Sequence, residues 1–273
     1  MPRAIIITTH PQDFRSVAER LRDRGEEEHP EGTIYELGFF DIEGAAFWEV
    51  VICEASETNA SVALETERAI AHFKPKVIFL IATATGIKDV NPGDVVVASK
   101  IYGYESGKID DEFRARPNAP EPAYKLQQRA KSIQRSGGWI REINNSILTP
   151  HPSASIAPIA SGEKEITDDR SPLLEFLSKH YNDAIAIDRV GLGFLNAAQA
   201  NQDVLALTIH GITHQIDRPE ANTIESRSIA MQYASAFAFE VLAKLGTATV
   251  TTRYDGIVVR ETTQQSLQHF PLI

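Results

Sequence analysis

The sequence predicts an α/β protein with a ligand pocket at one edge of its central sheet. A continuous apolar run at residues 77–81 has the length and composition of a buried strand. Small residues follow at 82–86, and a Pro-Gly turn at 92–93 leads to a second apolar run at 95–98. A strand that ends in small residues is typical of the pocket at the carboxyl edge of an α/β sheet.

The other elements are predicted from short apolar runs and from apolar residues at helical spacing. The predicted strands, beyond the two runs above, are residues 4–7, 33–40, 46–54, 184–187 and 204–209. The predicted helices are residues 13–22, 58–73, 123–133, 171–180, 194–200 and 226–245. The helix at 58–73 lies between two strands and completes a β-α-β unit, for which a right-handed crossover is expected.

Three segments have no such pattern. Residues 25–32 form a charged turn, and residues 137–158, with several Pro, Asn and Ser residues, are interpreted as a loop or insertion. Residues 247–273 are interpreted as a polar tail or linker, which leaves residues 1–246 as one domain.

The composition is that of a globular protein that remains in the cytoplasm. Hydrophobic residues make up 42% and charged residues 23% of the 273 residues. A formal net charge of −10 without a basic stripe argues against a nucleic-acid partner. No apolar run is long enough for a membrane span, and the first residues do not have the pattern of a secretory signal. Cys53, the single cysteine, has apolar neighbours and is interpreted as a core thiol.

Residues 81–108, IATATGIKDVNPGDVVVASKIYGYESGK, resemble a segment of the nucleoside phosphorylase and nucleosidase superfamily. The similarity is greatest to the methylthioadenosine/S-adenosylhomocysteine nucleosidase-like domains of bacterial proteins, and it extends from residue 4 to about residue 245. It implies a three-layer α/β/α fold with a mixed central sheet and a homo-oligomer. The implied ligand is a purine base, nucleoside or nucleotide. Domains of this kind are often joined to other modules, so a fused or partner effector module is also expected.

The resemblance assigns roles to residues in the first and middle parts of the chain. Asp13 matches the position of the carboxylate that activates water, although it also suits the N-terminus of a helix, where acids bind free amides. Thr85 and Gly86 belong to the pocket floor, which has more glycines in the family. Gly162 matches an Ala-Ser-Gly-Glu strand end whose following backbone binds the purine, and Ile166 is expected beside the base.

Two family motifs that carry the chemistry are altered here. A Val-Glu-Met-Glu pattern, whose last Glu binds the ribose hydroxyls, is replaced by Ile187-Asp188-Arg189-Val190. Val190 cannot accept a hydrogen bond, and Arg189, if it faces the pocket, favours a more anionic ligand such as a nucleotide.

The second motif is Arg-Gly-Ile-Ser-Asp, whose Asp protonates the purine N7. It is replaced here by a segment that contains His210, Thr213 and His214. A histidine is a suitable general acid near neutral pH, so His214 is a candidate for this role. The alternatives are two structural histidines or a His-x-x-x-His metal pair, for which the segment offers no third ligand.

No motif in the sequence indicates a cofactor. The chain has no Walker loop, zinc-finger spacing or nucleophile elbow, and the series Gly191, Gly193, Asn196 lacks the third glycine of a dinucleotide fingerprint. Three hypotheses follow. The first is a purine nucleoside- or nucleotide-binding domain, sensory or regulatory, with cleavage of the glycosidic bond weakened or lost. The second is an active N-glycosidase or nucleoside phosphorylase that uses Asp13 and His214, and the third is a structural or oligomerisation domain.

Overall fold

The computed structural model describes residues 1–42, 45–143, 151–166 and 170–246, together with the backbone of 249–254 and 257–262. The described residues form thirteen strands and six α-helices. The strands are β1 Arg3–Thr8, β2 Arg22–Glu28, β3 Ile34–Ile42, β4 Ala45–Glu54, β5 Val77–Gly86, β6 Val95–Gly103, β7 Gly107–Ile109, β8 Phe113–Ala115, β9 Ala154–Ser161, β10 Ala186–Asp188, β11 Leu205–Gln215, β12 Thr249–Tyr254 and β13 Ile257–Thr262. The helices are α1 Pro11–Ala18, α2 Asn59–Phe73, α3 Tyr124–Ser136, α4 Pro172–His180, α5 Gly191–Ala200 and α6 Ile224–Gly246.

Nine strands form one mixed sheet in the order β10-β9-β6-β11-β5-β1-β4-β3-β2. Strands β4, β1, β5 and β11 are parallel neighbours, whereas β6 runs antiparallel to β11. Strand β10 pairs with β9 and also with the end of β5, where Ile187 lies opposite Thr85. Because of this second pairing, five strands close on themselves around the end of β5.

Helices cover both faces of the sheet, which makes three layers. Helices α1, α3 and α6 pack on one face, where Phe79 and Ile209 belong to the core. Helices α2 and α5 pack on the other face against the alternate side chains, such as Ile78 and Leu80. This alternation follows from the period of two in a strand. The predicted three-layer α/β/α fold with a mixed sheet is confirmed.

Two element predictions in the first third of the chain are wrong. The helix predicted at 13–22 ends at Ala18, and the first half of the charged turn predicted at 25–32 belongs to strand β2, which ends at Glu28. Every residue of β2 is exposed, since the strand lies at the edge of the sheet and pairs only with β3. A charged edge strand protects a sheet from pairing with other chains, and it lacks the alternation by which strands are predicted.

Later differences also arise from pairing between distant segments. The small residues 82–86, predicted as a loop, continue strand β5, because β11 pairs with its whole length. Strand β9 begins at Ala154, inside the loop predicted at 137–158, of which residues 144–150 lie outside the described residues. In the segment predicted as a tail, β12 and β13 pair as an antiparallel hairpin. Among the described helices, none is long and apolar enough to cross a membrane.

Candidate active site

A cavity of about 260 Å³ lies where strands β1, β5, β10 and β11 end. This volume is somewhat below the range of roughly 300–1,000 Å³ for small-molecule pockets. The residues that line it are Thr9, Glu57, Thr83, Ala84, Thr85, Lys164, Glu165, Ile166, Ile187, Asp188, Arg189, Val190, Thr213, His214, Pro219, Asn222 and Arg227. The cavity therefore lies at the edge of the sheet where the sequence predicts a pocket.

Most of the residues singled out from the sequence meet at this cavity. Those that line it are Thr85, Ile166, Arg189, Val190, Thr213 and His214. Four others do not line it, namely Asp13, Gly86, Gly162 and His210. The structure thus brings residues of both altered motifs together, but the acid Asp13 and the two glycines Gly86 and Gly162 all lie outside the cavity lining.

Gly86 and Gly162 are needed for packing next to the cavity. A Cβ atom at Gly162 would lie 2.3 Å from Cζ of Tyr104, and one at Gly86 would lie 2.8 Å from a methyl group of Val90. Real Cβ atoms do not approach other atoms this closely. A larger residue at either position would therefore displace Tyr104 or Val90 instead of filling the cavity.

His210 forms a buried pair with Asp188, which lies on the cavity wall. Nε2 of His210 is 2.7 Å from Oδ2 of Asp188, and both side chains are fully excluded from solvent. The contact is short, although the ring N–H is not aligned as an ideal hydrogen bond requires. Nδ1 of His210 has no hydrogen-bond partner among the described residues.

Asp188 also organises the start of helix α5. Its carboxylate accepts hydrogen bonds from the backbone N–H groups of Val190 and Gly191 at 3.1–3.3 Å. Burial alone would raise the pKa of Asp188, but the charge of His210 and these hydrogen bonds hold it below its usual value. The oxygens of Asp188 therefore bind protein groups, namely His210 and the first amides of α5.

The glycines after Asp188 are explained by the same packing. A Cβ atom at Gly191 would lie 2.6 Å from Oδ2 of Asp188, and one at Gly193 would lie 1.9 Å from the carbonyl oxygen of Asn59. The side chain of Asn59 accepts a hydrogen bond from the N–H of Gly193 at 2.8 Å. These glycines allow α5 to approach Asp188 and α2, and protein atoms fill the space beside them.

Asp13 lies behind the cavity, where Arg227 holds it. Nε and Nη2 of Arg227 each lie 3.1 Å from an oxygen of Asp13, and Nη2 also contacts Glu57 at 2.5 Å. Asp13 is fully buried, whereas the Arg227 side chain is 17% exposed and lines the cavity together with Glu57. Burial raises the pKa of Asp13, and the hydrogen bonds from Arg227 offset part of this effect. Arg227 thus separates Asp13 from the cavity.

Thr213 and His214 form the polar wall at the end of β11. The hydroxyl oxygen of Thr213 is 2.8 Å from Nδ1 of His214. If the hydroxyl donates this hydrogen bond, Nε2 carries the proton of the neutral ring and is a donor. Burial lowers the pKa of His214, and the nearby Glu165 and Glu220 oppose this effect only in part. His214 is therefore mainly neutral at pH 7.

Arg189 lies on the wall next to the apolar Val190. Its Nη1 is 4.0 Å from an oxygen of Glu165, whose side chain is 67% exposed. The Nε atom of Arg189 is buried and has no hydrogen-bond partner among the described residues. Val190 is buried and places only methyl groups near this guanidinium.

Several cavity residues were not identified from the sequence, above all Glu57, Thr83 and Arg227. Glu57 and Arg227 lie outside the motifs, and their partnership joins residues that are 170 positions apart. In the described part of the chain, no group of three or more His, Cys, Asp or Glu residues is arranged for a metal ion. Cys53 is buried in the core, and burial raises the pKa of its thiol.

The sequence matches a known family model over most of its length. The model of the phosphorylase superfamily matches residues 3–244. Among curated protein sequences, none matches this chain.

Solved structures of nucleosidases and a hydrolase are similar to this fold. A methylthioadenosine/S-adenosylhomocysteine nucleosidase from Colwellia psychrerythraea, in complex with adenine, has a TM-score of 0.72 and 19% identity, over 89% of this chain and 96% of that one. The corresponding enzyme from Neisseria meningitidis, in complex with methylthio-immucillin-A, has a TM-score of 0.72 and 13% identity, over 89% and 100% of the two chains. A futalosine hydrolase mutant from Helicobacter pylori has a TM-score of 0.73 and 15% identity over the same shares. At these identities the similarity shows a shared fold.

Proposed function

This chain belongs to the phosphorylase superfamily, and we propose that it is a purine nucleoside- or nucleotide-binding domain in which cleavage of the glycosidic bond is weakened or lost. The role that we propose for such a domain is sensory or regulatory. The observation that carries the proposal is that two buried acids at the site are held by protein side chains: Asp13, behind the cavity, is bound to Arg227, and Asp188, on its wall, is bound to His210.

Binding is supported by the cavity itself. Most of its lining residues are polar or charged, and a few apolar side chains, such as Ile166 and Val190, lie among them. Such a wall can hydrogen-bond the hydroxyl groups of a sugar while the apolar side chains contact a base. Similar solved structures hold adenine or nucleoside analogues. A purine that lies against Ile166 would keep its sugar near Val190 and Arg189.

Weak cleavage is supported by the state of the three groups that cleavage of a glycosidic bond requires: a base, a ribose-binding carboxylate and a proton donor. Hydrolysis needs a base that contacts water, but Arg227 lies between Asp13 and the cavity. A ribose would find Val190 where the family pattern has a carboxylate. His214 is mainly neutral at pH 7, because burial lowers its pKa, and this limits its supply of protons to a leaving purine.

One observation favours the alternative, an active N-glycosidase or nucleoside phosphorylase. Asp13 has a raised pKa, which would make it a stronger base if Arg227 moved towards Glu57 and gave water access to it. His214 would then act as the proton donor through Nε2. This reaction predicts release of free purine that requires both residues.

The test combines calorimetric binding with chromatography of the ligand. The full chain is titrated with adenine, adenosine and adenosine 5′-monophosphate, and each mixture is then analysed for released base. The expected result is saturable binding without release, abolished by Thr85→Phe, which places a ring in the cavity. A matched control is Leu64→Phe, which places a ring on the exposed face of helix α2, where Leu64 is 50% exposed. Base release that is lost in Asp13→Asn and His214→Asn would establish the alternative, and no binding to any ligand would overturn the proposal in favour of a structural domain.

A further inference from the structure

The end of strand β11 contains a β-bulge that turns two consecutive side chains towards the cavity. Ile212 lies opposite Ala84 of β5. His214 lies opposite the next residue of β5, so Thr213 between them has no partner on that strand. In a regular strand, neighbouring side chains point to opposite faces, and only one of the two would reach the cavity. The bulge removes this alternation, and both Thr213 and His214 line the cavity.

The bulge also brings the hydroxyl oxygen of Thr213 to 2.8 Å from Nδ1 of His214. Burial keeps the ring mainly neutral, so the ring carries a single proton. If Nδ1 carried it, the hydroxyl proton of Thr213 would have no acceptor among the described residues. A hydroxyl that donates to Nδ1 satisfies both groups and leaves the ring proton on Nε2, which no described residue engages. Thr213 thus fixes His214 as a hydrogen-bond donor at the cavity wall.

The acceptor closest to this donor is held less firmly. Glu165 precedes Ile166, against which the proposed purine would lie, and its charge acts on the ring of His214. The Glu165 side chain is 67% exposed, and its oxygen is 4.0 Å from Nη1 of Arg189. Solvent and a cation therefore compete for this carboxylate. His214, by contrast, is 7% exposed and is held by Thr213. The fixed polar group in this part of the wall is a donor.

We propose that Thr213 is a positioning residue that, through His214, selects a base with a carbonyl group instead of an amino group at the edge facing β11. The inference deepens the proposed function, on which it rests, by naming the class of base. The Hoogsteen edge of a 6-oxopurine presents two acceptors, N7 and O6, whereas that of adenine presents N7 and an amino donor. A donor fixed at Nε2 fits two acceptors, but it opposes the amino group of adenine with another donor. The preferred ligand is therefore a 6-oxopurine nucleoside, such as inosine.

The first test is calorimetric titration of the full chain with inosine and with adenosine. Wild type is expected to bind inosine at least about tenfold more tightly, as one satisfied hydrogen bond in place of an unpaired donor implies. Thr213→Val keeps a similar shape but frees the ring to take either tautomer, so the preference should fall to within about threefold. The control Thr208→Val makes the same change in β11, where the buried hydroxyl has no partner among the described residues, and should retain the preference.

Two further measurements distinguish selection by His214 from a structural effect. His214→Asp replaces the donor by an acceptor and should reverse the preference in favour of adenosine, which a loss of packing alone would not do. The ¹⁵N chemical shifts of the histidine rings at pH 7 locate the proton without any ligand, with His214→Asn to assign the signal. We expect the proton on Nε2 in wild type and in Thr208→Val, and a mixture of both tautomers in Thr213→Val.

The measurements separate failure of this inference from failure of the proposed function. A proton on Nδ1 in wild type, or equal or tighter binding of adenosine, would overturn the inference and leave nucleoside binding intact. An unchanged preference in a folded Thr213→Val variant would overturn the role of Thr213. If that variant does not fold, the wild-type preference, the tautomer and the reversal in His214→Asp decide. Failure of both nucleosides to bind would overturn the proposed function and this inference together.

Discussion

Oδ2 of Asp188 lies 2.7 Å from Nε2 of His210, with both side chains inaccessible to solvent. The two residues belong to the two motifs that differ from the family patterns, where Glu and Arg occupy these positions. Both changes shorten the side chain, and they meet at one contact. The acid of one motif therefore contacts the histidine of the other next to the cavity.

Breaking this buried pair is expected to destabilise the protein far more than breaking an exposed one. In His210→Gln, the buried Asp188 carboxylate loses its close partner, and breaking a buried pair of this kind costs about 3–5 kcal/mol in the free energy of unfolding. The control Lys100→Gln breaks the exposed pair with Asp183 and should cost at most about 1 kcal/mol. Urea denaturation of both variants measures the difference, and equal losses would contradict it.

The same pair predicts a dependence on pH. The pKa of Asp188 is lowered in the folded protein, so its contribution to stability is present above the unfolded value of about 3.9 and is lost as the pH falls through the folded value. His210→Gln removes the part of this contribution that comes from the contact with His210, whereas the hydrogen bonds from the first amides of α5 remain. The stability gap between wild type and His210→Gln should therefore narrow below about pH 4, as urea midpoints at pH 7 and pH 3.5 would show.

The two partners of the Asp13–Arg227 pair should respond unequally to substitution. Arg227→Met leaves a fully buried carboxylate without a cation, which costs about 3–5 kcal/mol. Asp13→Asn leaves Arg227 bound to Glu57 and should cost less. The double variant should be more stable than Arg227→Met alone. Thermal unfolding of all three tests this order, and additive losses in the double variant would mean that the pair is not coupled.

Gly162→Ala is expected to destabilise the protein by about 1–3 kcal/mol, because the new Cβ would overlap the ring of Tyr104. Gly25→Ala is the matched control, since no atom lies within 4 Å of the Cβ position there. Adding Tyr104→Leu to Gly162→Ala removes the ring and should recover part of the loss. If the two single glycine variants unfold at the same urea concentration, the close packing at Tyr104 is not a constraint.

His214 is expected to titrate below the usual histidine value of about 6.5, because burial disfavours its charged form. Its contribution to stability is complete above that value and is lost as the pH falls, since the unfolded chain binds the proton more readily. A histidine NMR titration, with His214→Asn to assign the signal, measures the pKa. A value above 6.5 would mean that Glu165 and Glu220 outweigh burial.

The sequence alone determined the elements whose side chains face a core. The apolar run at 77–81 predicts a buried strand, and the helical spacing of apolar residues at 58–73 predicts a helix. The structure has strand β5 and helix α2 at these places. The two altered motifs also predicted one site, because the ends of β10 and β11 meet at the same edge of a sheet. Strand β2 was missed because its stability depends on pairing with β3, and its own side chains are all exposed.

Only the tertiary structure decided what the site residues contact. Arg227 reaches Asp13 across 214 positions and separates it from the cavity, and His210 turns to Asp188 away from the cavity. No local pattern encodes such partners, since they depend on how α1, α6 and the strand ends pack together. Residues 82–86 likewise continue strand β5 because β11 and β10 pair with them and satisfy their backbone hydrogen bonds. Small residues have no strong preference for a strand, so their own sequence does not predict it.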